Sequence, residues 1–210
     1  MSKKRNSKTG KRVSRQKKLR VTSFVGARPQ FVKLAPLAQA FGSDRFKGRI
    51  SHSIIHSGQH YAADLSKVFF QELHIPTPDL NLRVGSGAHG EMTAKMIRGL
   101  EREFQKRRPD VLLIYGDTNT TLAGAVVASK IESGLRSFDM EMPEEVNRRI
   151  SDHVSSLLFC PTAESVKNLR REHPTGEIIR CGDLMFETLD NLKPLLDASA
   201  PQAQAVLENH

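Results

Sequence analysis

Five apolar residues stand in a row at Val111-Leu112-Leu113-Ile114-Tyr115, and Gly116-Asp117 follows them directly. A strand that is apolar at every position predicts burial on both faces, which is typical of a parallel sheet covered by helices on each side. Ligands of open α/β sheets bind outside the carboxyl ends of the strands, where Asp117 stands. The run therefore predicts both the fold class and a first candidate site residue.

The segments around this run alternate between strand-like and helix-like patterns. Short apolar runs predict strands at 19–25, 50–55, 80–84, 157–160 and 178–181. Helical spacing of apolar residues predicts helices at 29–41, 64–73, 91–107, 120–129, 163–171 and 183–196. This order predicts an α/β fold, a Rossmann-like open parallel sheet with helices on both faces.

One strand is missing from this alternation. After the helix predicted to end near Lys130, the polar stretch Glu132-Ser133-Gly134 arrives almost at once, without the apolar residues that a buried parallel strand needs. We expect that strand to be absent and Glu132 to be displaced from the other carboxylates at the sheet edge.

Composition and charge exclude several classes of protein. The apolar runs are too short to span a bilayer, and two cysteines, Cys160 and Cys181, cannot form a disulfide scaffold or a four-ligand zinc site.

Ten of the 32 basic residues stand in residues 1–20, which contain no acid, so the rest of the chain carries 22 basic and 23 acidic residues. Residues 1–20 are predicted to be a disordered basic tail. A solvated extension is favoured over an arm that binds RNA or anionic lipid, because the folded part has no net basic excess.

Polar residues after the predicted strands are the candidate site residues, and each has a plain structural alternative. Arg28, in Gly26-Ala27-Arg28-Pro29, could bind phosphate at a helix start. A Gly before a helix with Pro in its first turn is, however, also a common way for a helix to begin. Asp117 could act as an acid or base, or could cap the next helix. Glu144, in Pro143-Glu144-Glu145, could be functional or could simply favour the positive end of a helix. His56 and His60 have the HxxxH spacing of a zinc site, but Gly58 between them argues against a helix.

Taken together, five segments resemble one family, the non-hydrolysing UDP-N-acetylglucosamine 2-epimerases. The resemblance extends from about Val21 to Leu189, with the segments in the family's order and spacing. The segments are Val25-Gly26-Ala27-Arg28-Pro29-Gln30-Phe31-Val32-Lys33-Leu34-Ala35-Pro36, Ser57-Gly58-Gln59-His60-Tyr61, Gly116-Asp117-Thr118-Asn119-Thr120-Thr121, Glu132-Ser133-Gly134-Leu135-Arg136-Ser137 and Pro143-Glu144-Glu145-Val146-Asn147-Arg148.

The resemblance implies a reaction and roles for these residues. The family interconverts UDP-GlcNAc and UDP-ManNAc without a metal or nicotinamide cofactor, by anti elimination of UDP to a 2-acetamidoglucal and re-addition after protonation from the other face. It implies that Asp117, Glu132 and Glu144 are the catalytic acids and bases. It also implies that Arg28 and Lys33 are basic residues of the active site. Gln59 and His60 lie in a segment that in some members contacts a second, regulatory substrate molecule.

The resemblance also implies a domain organisation, the N-terminal half of a glycosyltransferase B-type fold. We expect a basic tail at 1–20, the Rossmann-like epimerase domain at 21–190, and at 191–210 a truncated linker or the start of an absent second domain. That second domain supplies most uridine and diphosphate contacts in the family, so an inactive fragment that at most binds sugar nucleotide is the alternative to an active enzyme. The expected partners are a UDP-sugar and either a second copy of the chain or a separately encoded second half, with no nucleic acid and no membrane span. A cytoplasmic role in supplying precursors of cell-envelope polysaccharide is the implied context.

Overall fold

The computed structural model describes residues 17–59, 63–125, 129–131 and 133–194, with the backbone alone for 63–67 and 129–131. The strands are β1 (Leu19–Val25), β2 (Ile50–His56), β3 (Leu80–Asn81), β4 (Val111–Tyr115), β5 (Ser129–Ile131), β6 (Leu157–Cys160) and β7 (Glu177–Arg180). The helices are α1 (Arg28–Gly42), α2 (Ala63–Glu72), α3 (His89–Arg107), α4 (Asn119–Gly124), α5 (Pro143–Val154), α6 (Ala163–Glu172) and α7 (184–194).

The seven strands form one sheet in the order β3-β2-β1-β4-β5-β6-β7, and every neighbouring pair is parallel. β1 and β4 lie side by side near the centre, with Val21 opposite Val111 and Phe24 opposite Ile114. The predicted open parallel sheet of an α/β fold is thus confirmed. Because all strands point the same way, every loop that follows a strand emerges at one edge of the sheet.

Alternate residues of the central strands pack on opposite faces of the sheet. Leu113 and Tyr115 of β4 join the cluster under α1 and α2, whereas Leu112 and Ile114 join the cluster under α3 and α4. Side chains in a strand point to opposite faces with a period of two, so a strand covered on both sides must be apolar throughout. The continuous apolar run at 111–115 has this structural cause.

The expectation of a missing strand is wrong. Ser129–Ile131 forms β5 between β4 and β6, with Ser129 opposite Leu113 and Ile131 opposite Phe159. α4 ends at Gly124, five residues before the predicted end at 129. The helix therefore does not include Ser129–Ile131, and these residues can form a strand. Strands on both sides offer backbone hydrogen bonds to residues 129–131, and those bonds form whatever the apolar content of the segment.

The first strand begins two residues before the expected start of the domain at residue 21. Leu19 and Arg20, placed in the basic tail, belong to β1, where the backbone N–H and guanidinium of Arg20 donate to Asp110. At the other end, α7 reaches 194 within the predicted helix 183–196, and the Thr188 hydroxyl of α7 donates to the Val32 carbonyl of α1. The predictions for residues 1–16 and 195–210 lie outside the described residues.

Cys160 is fully buried, as expected of a small apolar residue at the end of a strand. Over the part of the chain that the structure describes, no helix has the length and apolar character needed to cross a membrane.

Candidate active site

The loops that follow β1 and β4 meet at the edge where the parallel strands end. β1 ends at Val25 and β4 at Tyr115, so Arg28, the first residue of α1, and Asp117 lie at the same edge of the sheet. The loop after β2 packs directly against the loop after β1, because a Cβ atom on Gly26 would overlap the Ser57 hydroxyl. Gly26 therefore permits a backbone approach that any other residue would block.

Gln30 ties the first of these loops to the loop after β4. Its Oε1 accepts hydrogen bonds from the N–H groups of Gly26 and Ala27, at 2.7 and 3.0 Å. Its Nε2 donates to the Tyr115 carbonyl at 2.8 Å and lies within 3.0 Å of the Thr118 hydroxyl. With 1% of its surface exposed, this side chain joins two loops that are 85 residues apart in sequence.

A cavity of about 390 Å³ opens at this edge of the sheet. Two acidic residues, Asp117 after β4 and Glu144 at the start of α5, line it together with Gln59. The remaining lining residues are Ala27, Ser86, Gly87, His89, Met92, Thr118, Asn119, Pro143 and Asn147. Two acidic residues and several neutral residues with hydrogen-bonding groups around one cavity suit the binding of a polar ligand and the transfer of protons.

Asp117 is held by α5 and does not cap α4. The N-cap of α4 is Thr118, which makes no side-chain capping bond. The carboxylate of Asp117 instead forms an ion pair with Arg148, and the amide of Asn147 donates to the Asp117 carbonyl at 2.9 Å. The capping alternative for Asp117 is therefore not the arrangement found.

Glu144 and Glu145 are neighbours in the first turn of α5 with different surroundings. Glu144 is exposed and lines the cavity. Glu145 has no exposed surface and accepts hydrogen bonds from Ser137, Arg148 and Arg149. Burial on its own raises the pKa of Glu145, but the hydrogen bonds from the Ser137 N–H and from Arg149 and Arg148 outweigh it and lower the pKa to about 2.

The other predicted site residues are distributed around this edge. Gln59 is buried and its Oε1 accepts from the Thr120 hydroxyl at 3.0 Å. Lys33 is buried with its Nζ beside Gly116, next to Asp117 in sequence. Arg28 is exposed, and its guanidinium stacks 5.6 Å from the centre of the Phe69 ring on α2, away from the cavity lining. Two further predicted residues, His60 and Glu132, lie outside the described residues.

The segment 133–137 is anchored by α5 and α6. The buried guanidinium of Arg136 pairs with Asp152 of α5 and with Glu172 of α6, at 2.8 and 2.6 Å. The N–H of Gly134 donates to Asp152 at 3.0 Å, and the Gly134 carbonyl accepts from Asn168 at 3.0 Å. Arg136 hydrogen bonds lower the pKa of Glu172, which favours the charged form that the pair requires. These contacts fix the backbone immediately after Glu132.

Sequence reasoning assigned no role to Gln30, Asn147 or Arg148. For the two α5 residues a signal existed, because positions three and four residues after Glu144 lie on the same helix face as Glu144. For Gln30 there was none, since its partners are brought in by the pairing of β1 with β4. Within the residues that the structure describes, His, Cys, Asp and Glu side chains do not form a group of three that could hold a metal ion.

Comparisons with known proteins point to one family. The family model for UDP-N-acetylglucosamine 2-epimerase matches residues 45–209. A curated UDP-N-acetylglucosamine 2-epimerase homolog of Methanococcus maripaludis is 45% identical over 186 residues, which cover 85% of this chain and 51% of the relative. A UDP-2,3-diacetamido-2,3-dideoxy-D-glucuronate 2-epimerase of Pseudomonas aeruginosa is 43% identical over 180 residues, 81% of this chain and 50% of the relative.

A solved structure supports the same assignment. The crystal structure of Methanocaldococcus jannaschii UDP-GlcNAc 2-epimerase in complex with UDP-GlcNAc and UDP matches with a TM-score of 0.77 and 43% identity, over 83% of this chain and 50% of that chain. The chain thus spans about half the length of the curated relatives it matches. Because the family model matches well over half of its residues, this chain belongs to the UDP-N-acetylglucosamine 2-epimerase family.

Proposed function

We propose that this chain supplies the sugar-side half of an active site that interconverts UDP-GlcNAc and UDP-ManNAc. The observation that carries the proposal is the cavity that Asp117, Glu144 and Gln59 share at the edge where the parallel strands end. Inversion of a carbon atom by proton transfer requires that a proton be removed from one face and another be added to the opposite face, so two acidic residues lining one cavity suit the reaction.

In the proposed reaction, a carboxylate takes the C2 proton while the bond between C1 and the diphosphate oxygen breaks. The electron pair of the C2–H bond forms the C1–C2 double bond of a 2-acetamidoglucal, and UDP leaves with the electron pair of the C1–O bond. A second carboxyl group then protonates C2 from the opposite face, and UDP adds back to C1. Asp117 and Glu144 are assigned to these proton transfers, with Glu132 as the third acid or base. The end of β5 at Ile131, one residue before Glu132, supports including Glu132.

The polar residues around the carboxylates are assigned to substrate binding. Gln59 would donate to or accept from the sugar, with His60 following it in sequence. Lys33, whose Nζ lies beside Gly116, and Arg28, the first residue of α1, would provide positive charge for the diphosphate from outside the cavity lining. Among the described residues that line the cavity there is no Lys or Arg, so neutralising the leaving group would need further cations.

We therefore infer that turnover requires the half that the relatives carry beyond the matched residues. Each preorganised donor to the developing charge contributes roughly 3 kcal/mol, or about 100-fold in rate, and several are needed for a diphosphate. The isolated chain would then bind UDP-GlcNAc weakly and turn it over slowly at best.

The test measures UDP-ManNAc formation from UDP-GlcNAc by proton NMR. The chain is assayed alone and with an excess of the separately expressed second half of the Methanococcus maripaludis relative. We expect turnover only in the mixture, and we expect Asp117→Asn and Glu144→Gln each to lower it at least 100-fold. The exposed Glu164→Gln on α6 serves as the matched control and should leave turnover unchanged. Binding of UDP-GlcNAc with no turnover in the mixture would favour the inactive-fragment alternative, and a fully active Asp117→Asn would refute the assigned role.

A further inference from the structure

We propose that Asn147 and Arg148 are positioning residues that hold Asp117 at a fixed place relative to Glu144. This inference rests on the proposed function and extends it to two residues that need not touch the reacting atoms. It concerns how the spacing between two carboxylates on different elements is maintained.

Two consecutive residues of α5 donate hydrogen bonds to different groups of Asp117. Asn147 donates to its backbone carbonyl at 2.9 Å, and the Nη2 atom of Arg148 donates to its Oδ2 atom. Both stand within one helical turn of Glu144, so the helix that carries one candidate acid also carries both restraints on the other. α5 thus links the position of Asp117 to that of Glu144.

Arg148 is also held by a second carboxylate, so its guanidinium cannot move freely with Asp117. Its Nη1 atom lies 3.3 Å from Oε2 of Glu145, which has no exposed surface and is itself held by the N–H of Ser137. The planar guanidinium can serve two carboxylates at once with separate N–H groups, whereas an ammonium concentrates its charge at one point. A lysine at 148 would therefore keep only part of the arrangement.

Arg148 contributes more to geometry than to stability. The Arg148 and Asp117 side chains keep 19% and 29% of their surface exposed, and exposed ion pairs stabilise proteins little. Misplacing a catalytic group by about 1 Å, in contrast, can lower a rate about 100-fold. Loss of the Arg148–Asp117 pair is thus expected to affect turnover far more than folding, whereas loss of the Arg148–Glu145 pair affects folding and needs a control.

Arg149 provides a matched control on the same helix. It pairs with Glu145 and Glu172 at 3.2 and 3.6 Å and has 33% of its side chain exposed, but the described contacts do not include Asp117. Arg148→Met and Arg149→Met therefore remove comparable ion pairs, and only the first releases Asp117.

The first measurement is hydrogen exchange of the backbone amides of residues 116–119 in the chain alone. We expect Arg148→Met to speed exchange there at least 10-fold, Asn147→Ala to do the same, and Arg149→Met to leave it near the wild-type rate. Equal rates in Arg148→Met and Arg149→Met would overturn the inference. Because no ligand is needed, this result stands even if the proposed epimerisation fails.

The second measurement is turnover in the mixture with the supplied second half. Arg148→Met should lower kcat about 100-fold with KM within threefold of wild type, Arg148→Lys should recover part of the loss, and Arg149→Met should stay within threefold. A wild-type mixture without turnover refutes the proposed function and leaves the exchange result to decide the positioning role. An unchanged kcat in Arg148→Met refutes the positioning role.

Discussion

Arg136 and Asp152 form an ion pair in which neither side chain has any exposed surface, with Nη1 and Oδ2 2.8 Å apart. Arg136 also donates to Glu172 of α6, and Asp152 also accepts from the N–H of Gly134. The pair thus joins the 133–137 segment to two helices. Taking charges out of water is costly, so the partners depend on one another.

Replacing Arg136 should strongly destabilise the domain. Arg136→Met would leave Asp152 and Glu172 without their shared cation, and breaking a buried pair in this way typically costs about 3–5 kcal/mol. Urea unfolding followed by circular dichroism measures the change. The exposed Arg170→Met on α6 should stay within about 0.5 kcal/mol of wild type, and equal effects of the two changes would contradict the prediction.

Glu145 should make stability depend on acid pH. Its folded-state pKa of about 2 lies below the ordinary value of 4.5, so its contribution is fully present above about pH 4.5 and is lost as the pH falls toward 2. Between pH 5 and pH 2, wild type should lose about 3 kcal/mol more unfolding free energy than Glu145→Gln, which cannot titrate. Urea unfolding at a series of pH values tests this. The exposed Glu177→Gln is the control and should decline in parallel with wild type.

Gly134 should not tolerate a side chain. Its φ of +78° disfavours L-residues, and a Cβ atom would overlap the carbonyl oxygen of Ser165. Gly134→Ala is expected to cost about 2–4 kcal/mol, from backbone strain together with overpacking. The same change at Gly42, where a Cβ meets no atom within 4 Å, should be neutral or slightly stabilising. A thermal unfolding comparison that ranks the two variants equally would rule out this account.

Gln30 should be required for the stability of the sheet edge. Gln30→Leu keeps most of the volume but removes the acceptor for the buried N–H groups of Gly26 and Ala27, at about 1–3 kcal/mol each. We expect a loss of about 2–4 kcal/mol in urea unfolding. Gln105→Leu, the same change at an exposed position of α3, should alter stability by less than about 0.5 kcal/mol. A Gln30→Leu protein as stable as wild type would show that these hydrogen bonds are dispensable.

Much of the fold could be predicted because the information is local. The apolar run at 111–115 and the helical spacing at 91–107 each report which faces are covered, and these patterns lie within a few residues of one another. β5 could not be predicted in this way. Only Ile131 among its three residues is a large apolar residue, and the strand exists because β4 and β6 stand at the right distance on either side.

The candidate site also combines features that the sequence predicts with features that only the tertiary structure sets. The sequence by itself determined which side chains follow the parallel strands, and hence that Arg28 and Asp117 share one edge of the sheet. Only the tertiary structure decided that Glu144 lines the cavity while its neighbour Glu145 is buried in an ion-pair network, and that Arg148 holds Asp117. A local sequence pattern does not distinguish two neighbouring acids in one helical turn. Their environments differ because residues 137, 148 and 149 converge on only one of them, and that convergence depends on how the helices pack against the sheet.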